Sequence, residues 1–141
     1  MRVGVPKEIK NHEYRVGLTP SSVRELRSHG HEVLVQSGAG AEIGLDDAQY
    51  AQAGAAVAPS GEEVFAWADM IVKVKEPQPA ECLRLRAGQI LYTYLHLAPD
   101  PEQTAALVTS GAVCIAYETI TGPGGGLPFR PTRRFPGRSR S

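Results

Sequence analysis

Cysteine is scarce in this chain: Cys82 and Cys114 are the only two among 141 residues. Two such residues, far apart, form neither a metal-binding spacing nor a disulfide framework, so a reducing compartment, the cytoplasm, is expected. Long apolar runs are also missing, and none reaches the length of a membrane span. The opening Met1-Arg-Val-Gly-Val-Pro6 lacks the extended apolar core of a signal peptide and reads as a strand. There is no Walker motif, no metal-ligand cluster, no G-x-S-x-G element and no internal repeat. Phosphate cradling by a P-loop, metal chemistry and serine hydrolysis therefore have no sequence support. The apolar share of 42% excludes general disorder.

The net charge is zero, but its distribution is uneven. Residues 129–141 hold five arginines (Arg130, Arg133, Arg134, Arg138, Arg140) and no acid. Residues 1–128 hold ten Lys and Arg against fifteen Asp and Glu, a net of −5. The basic end is rich in Arg, Pro, Gly and Ser and carries no periodicity, a composition that cannot build a core. It is expected to be a disordered tail or the product of a frame change. Aromatic residues do not interleave its arginines on a scaffold, so no nucleic-acid partner is expected.

Over residues 1–120, strand and helix signals alternate. Strands are read at Arg2–Val5, Glu32–Gln36, Ala55–Val57, Met70–Lys75, Gln89–Tyr94 and Ala112–Tyr117. The first helix follows Thr19 as N-cap and Pro20 as first helical residue, and stops at Gly30. Others are read over Leu45–Ala53, from the Ser60 cap to Trp67, over Pro79–Arg86, and from about Pro101 to Ser110. Glu63, three residues after Ser60, predicts a capping box. Strand–helix alternation with short connections predicts an α/β fold: a Rossmann-like or flavodoxin-like parallel sheet with helices on both faces.

In open parallel sheets, ligands bind beyond the carboxyl ends of the strands. Four side chains fall at such ends. Arg15 lies between the first strand and first helix, and its planar fork suits a carboxylate; it would equally serve as a solvated loop residue. Lys75 ends the fourth strand, where an ammonium can polarise a carbonyl, or simply pair with Glu76 or Asp69. Lys73 shares its strand face by alternation, so one of the two lysines is expected to be a bystander. His96 follows the Ile90–Tyr94 run and can move a proton, or merely cap the strand. Glu118 follows the last strand and could orient a base or pair with Arg15. Together, two cations and an imidazole at one sheet edge suit a small anionic substrate that undergoes proton transfer.

The glycine clusters are weaker signals. Gly38-Ala-Gly40-Ala-Glu-Ile-Gly44 is out of register for a dinucleotide fingerprint and is read as a loop needing positive φ. Gly122–Gly126 is read as a plain loop.

The segment Met1–Pro20 resembles the N-terminus of alanine dehydrogenases. So do Val35-Gln-Ser-Gly-Ala-Gly40, Ile71-Val-Lys-Val-Lys-Glu-Pro77, Tyr94-Leu-His-Leu-Ala98 and Ala116-Tyr-Glu-Thr119, in order and at family spacing over residues 1–128. Transhydrogenase α subunits share the general plan and saccharopine dehydrogenases a more distant one; the Tyr94–Ala98 form favours the alanine enzymes. The resemblance implies an NAD-dependent oxidoreductase that interconverts L-alanine with pyruvate and ammonium, assembled as a homohexamer. It implies that Arg15 grips the substrate carboxylate, Lys75 contacts the pyruvate oxygens and His96 is the general acid/base. Tyr94 and Glu118 would support them. The family's NAD fingerprint lies in a second domain, of which these 141 residues hold no counterpart. The resemblance therefore implies an N-terminal fragment, inactive alone. The rivals are a non-catalytic remnant and a small-anion binding module.

Overall fold

A computed structural model describes residues 1–9, 13–93 and 101–116. Six strands, β1 (Arg2–Val5), β2 (Glu32–Gln36), β3 (Ala56–Ala58), β4 (Met70–Val72), β5 (Ile90–Thr93) and β6 (Val113–Ala116), form one sheet. Every pairing is parallel. The spatial order is β3-β2-β1-β4-β5-β6. This is the order of the Rossmann fold, not that of flavodoxin, and the chain reverses direction across the sheet between β1 and β4.

The helices are α1 (Pro20–Ser28), α2 (Asp47–Gln52), α3 (Gly61–Trp67), α4 (Pro79–Cys82) and α5 (Pro101–Ser110). Alternation along the strands divides the core in two. Val3 and Val5 of β1 and Val33 and Val35 of β2 pack with Val23 of α1 and Tyr50 of α2. On the other face, Ile71 and Leu91 pack with Val64 and Phe65 of α3, Cys82 of α4 and Leu107 of α5. Side chains as fully buried as Val5, Ile71 and Leu91 each contribute roughly 1.5–3 kcal/mol relative to exposure. Val113 and Ile115 of β6 point to the first face and remain exposed. No described helix is long and apolar enough to cross a membrane.

Helix starts follow local chemistry. Thr19 accepts the Ser22 N–H, with Pro20 directly after it. α2 begins two residues later than the Leu45 of the sequence reading because Asp46 caps it, exchanging bonds with Gln49. At α3, Ser60 accepts the Glu63 N–H, and that one-way cap is the observed form. The expected helix Pro79–Arg86 ends at Cys82. Arg86 instead turns back, donating to the carbonyls of Phe65 and Ala68 at 2.8 Å each. Gln89 donates to the same two carbonyls, so the C-terminus of α3 is satisfied by side chains distant in sequence.

A switch-point site between the first and fourth strands

Two connections leave the sheet side by side where its order reverses: residues 6–19 after β1 and residues 73–78 after β4. The longer one is pinned at several places. The Lys7 N–H donates to Gln36 Oε1 at 2.8 Å. The Tyr50 hydroxyl donates to the Leu18 carbonyl at 2.7 Å, and burial pushes that phenol up to about 12. Gly17 lies directly on β4. A Cβ there would stand 2.5 Å from the Val72 carbonyl oxygen, which is backbone and cannot step aside. Gly17→Ala is therefore expected to push the Arg15 segment off β4 and to cost about 1–3 kcal/mol, as overpacking does. Urea unfolding of the variant measures this, and wild-type stability would contradict the contact.

Arg15 is exposed and its fork is engaged. Nε and Nη2 donate to the two Glu13 carboxylate oxygens at 2.9 and 3.0 Å, and the Arg15 N–H adds a third bond at 2.9 Å. The Arg15 side chain holds the Glu13 carboxyl below its ordinary 4.5, and the Lys75 ammonium adds a through-space contribution. Glu13 thus feels both cations, Arg15 by direct contact and Lys75 more weakly from a distance. A depressed carboxyl contributes stability above its ordinary value and loses it as pH falls through the lowered one. Arg15→Gln is expected to move the Glu13 midpoint upward in a carboxyl-carbon NMR titration; an unmoved midpoint would show that the pair is not formed in solution.

The expected Met70–Lys75 strand ends at Val72. Lys73 still donates its N–H to Tyr92, but the next two N–H groups, of Val74 and Lys75, go to the carboxylate of Glu8 at 2.8 and 3.2 Å. The ladder stops because a side chain of the neighbouring connection takes its donors. Lys73 and Lys75 differ in burial. Lys73 turns inward, only 2% exposed, with Nζ 2.8 Å from Glu8 and 3.2 Å from Glu81. Burial raises the Glu81 carboxyl, opposed by the Lys73 charge. Lys75 stays half-buried at the edge, and its carbonyl accepts the Thr93 hydroxyl at 2.8 Å. Asp69, one possible partner for Lys75, instead accepts the Arg2 N–H.

Tyr94, His96 and Glu118 lie outside the described residues, as does Gly122–Gly126. His96 follows Thr93, the last residue of β5, by three positions, and Glu118 follows Ala116, the last of β6, by two. The buried Glu8–Lys73–Glu81 cluster went unread in the sequence. Its one signal is a glutamate three residues beyond the end of β1, after Pro6 and Lys7, which looks like any solvated loop acid.

The first glycine cluster is a packed turn. Gly38 has φ +80°, and its N–H donates to Asp47 Oδ1 at 2.9 Å, while Ser37 donates to Oδ2 at 2.6 Å. Those bonds hold the Asp47 carboxyl below its ordinary value, the Gly38 contribution being larger. A Cβ on Gly40 would stand 2.8 Å from Leu45. Only a 3-10 turn, Ala41–Ile43, follows. Both cysteines are free thiols, Cys82 buried and Cys114 partly so. Among the described residues no group of His, Cys, Asp or Glu could hold a metal ion.

The Rossmann-ordered parallel sheet defines the class: a doubly wound α/β domain whose order reverses between β1 and β4. The chain belongs to the alanine dehydrogenase/PNT N-terminal domain family, whose sequence model matches residues 4–129. It is 56% identical over 129 residues to an alanine dehydrogenase of Halomonas elongata, covering 92% of this chain and 35% of that protein. An alanine dehydrogenase of Mycobacterium tuberculosis is 52% identical over the same shares. Among solved structures, an L-alanine dehydrogenase superposes with a TM-score of 0.86 at 51% identity, covering 91% of this chain and 35% of that one. A transhydrogenase of Sinorhizobium meliloti superposes with a TM-score of 0.81 at 29% identity, covering 88% and 37%. The chain thus spans about a third of the length of these relatives.

Proposed function

We propose that residues 1–128 are the substrate-binding, acid/base part of an NAD-dependent alanine dehydrogenase, acting on L-alanine and pyruvate in the cytoplasm as part of a homo-oligomer. The Arg- and Pro-rich residues 129–141 take no part in the chemistry. The observation that carries the reading is that Arg15 and Lys75 stand in the two connections that leave the sheet at its switch point, after β1 and β4. The Arg15 fork that accommodates Glu13 bidentately has the geometry to accept a substrate carboxylate in the same way. Lys75 then serves the adjoining carbonyl of pyruvate, whose oxygen becomes more negative as ammonia adds to the carbon, the reverse of water adding to the imine and ammonia leaving. Its ammonium stabilises that charge where it develops. His96 takes a proton from the attacking water and returns one to the departing ammonia, so no free hydroxide or amide forms. Tyr94 and Glu118 support it. The higher identity to the alanine dehydrogenase structure, 51% against 29% for the transhydrogenase, favours the alanine reaction.

NAD would supply the acceptor for the hydride from the alanine α-carbon. Neither candidate place for its pyrophosphate among the described residues suits it. The β1–α1 connection opens with Pro6-Lys-Glu-Ile, without the glycines of a dinucleotide turn directly after the strand, and the Gly38 N–H is already taken by Asp47. We therefore assign the dinucleotide to a second domain, outside these 141 residues, and expect no turnover from the 141-residue chain by itself. The test is to graft residues 1–128 onto the remainder of the Halomonas elongata relative. Alanine-dependent NADH formation by the graft, and none by the separate chain, is the expected result. A folded, assembled graft without that activity would overturn the assignment.

A further inference from the structure

We propose that Glu8 and Thr93 are positioning residues for Lys75, a role that rests on reading Lys75 as a substrate-binding side chain. Beyond Val72 the β4 ladder is gone, yet the Lys75 peptide is held at both ends. Its N–H donates to Glu8 Oε1 at 3.2 Å, and its carbonyl accepts the Thr93 hydroxyl at 2.8 Å. Neither bond belongs to a helix or a sheet, and each comes from a different element: Glu8 from the connection after β1, Thr93 from the end of β5.

Each arm of the clamp is itself fixed. Thr93 is fully buried and pairs in register with Ala116 of β6. Glu8 spends Oε2 on the Val74 N–H at 2.8 Å, and Oε1 also receives the Lys73 ammonium at 2.8 Å. Lys73 in turn is anchored on Glu81, whose other oxygen accepts the Gln78 N–H at 2.9 Å at the start of α4. The cluster therefore ties the β1 connection, the start of α4 and the end of β5 to the Lys75 backbone. A lysine side chain is long and loses much rotamer freedom when ordered, and a rigid backbone is the part of that ordering the fold can supply beforehand. Displacement by 1 Å at a reacting group costs about a hundredfold in rate.

The test uses the 141-residue chain with Thr93→Val and Thr93→Ser. Valine keeps the volume and removes the hydroxyl; serine keeps the hydroxyl and removes a buried methyl. Two quantities are read: exchange and relaxation of the Lys75 amide by NMR, and pyruvate affinity by calorimetry. Thr93→Val is expected to mobilise the Lys75 amide and weaken pyruvate binding about tenfold, the scale of a polar group left without its partner. Thr93→Ser should lose thermal stability while keeping the wild-type Lys75 amide and pyruvate affinity. Glu8→Gln should mobilise the same amide. A Thr93→Val chain with an unchanged Lys75 amide overturns the clamp, as does a serine variant that behaves like the valine one. A wild-type chain that does not bind pyruvate would remove the substrate reading instead, and the amide comparison would still decide the clamp.

Discussion

Replacing His96 with alanine in the grafted enzyme is expected to lower alanine turnover by about two to four orders of magnitude, the usual contribution of a general acid–base group. Histidine is the side chain whose ordinary titration falls near neutrality, so it can take a proton from water and give one to ammonia within one cycle. Arg15 and Lys75 would still hold the substrate in His96→Ala, so KM should change far less than kcat. The neutral-pH limb of the kcat profile should also vanish with the imidazole. Lys75→Ala should behave differently, weakening pyruvate binding as well as turnover. Turnover that survives His96→Ala would make the histidine a strand cap and leave the site without its proton carrier.

Lys73→Met is expected to be the most damaging substitution for the fold itself. Lys73 and its two carboxylates have side chains only 1% exposed. Removing the ammonium leaves two acids facing each other with no cation between them, a loss of about 3–5 kcal/mol. Domains of this kind have about 5–15 kcal/mol in total, and each kcal/mol is worth several degrees, so Tm should fall by at least about 10 °C. The sign of the pH dependence follows from Glu81. Burial raises its carboxyl above the ordinary 4.5, so the folded chain holds that proton longer than the unfolded one. Stability is then complete below the ordinary value and is lost as pH rises through the raised one. Without Lys73 the opposing charge is gone, and the defect should deepen from mildly acidic to mildly alkaline solution. Lys73→Met combined with Glu81→Gln should recover part of the loss. Urea unfolding at both pH values measures these differences; a single variant within about 1 kcal/mol of wild type would mean that the cluster is not closed in solution.

Much of the fold was legible locally. Thr19 and Pro20 mark the start of α1, and Gly30, with φ +86°, follows its end, as sequence chemistry requires. Strand–helix alternation sufficed for a parallel sheet, since parallel neighbours need a crossover. The strand order was not legible, because each crossover can land on either side of β1 with the same local pattern. The end of β4 was missed for a related reason. Val, Lys and Val alternate through Lys75 as a strand should, but Glu8, far away in sequence, takes the N–H groups of Val74 and Lys75. The same Glu8 carboxylate takes the Lys73 ammonium into the interior while Lys75 stays partly exposed, a distinction that periodicity alone cannot make. Of the candidate site, the place of Arg15 and Lys75 at or beyond strand ends was legible, because strand ends can be read from the local pattern. Glu8 and Thr93 were not, since neither residue type is unusual where it stands.

The strand order also sets a timetable for the growing chain. β1 leaves the ribosome first, yet it is a central strand with a neighbour on each side. One neighbour, β2, begins at Glu32 and arrives early; the other, β4, begins only at Met70. Synthesis at about 5–20 residues per second leaves β1 with one open edge for several seconds. During that interval β1 to β3 can already close over α1 and α2, because the core on that face draws almost entirely on residues before Gly61. The second core then condenses on a finished template, from α3 onward. Glu8 emerges with the first half, but Lys73 and Glu81, which neutralise and bury it, come with the second. A later step of assembly therefore brings the Glu8 carboxylate out of water, and the lysine that makes this possible is translated only after the first half of the sheet is complete.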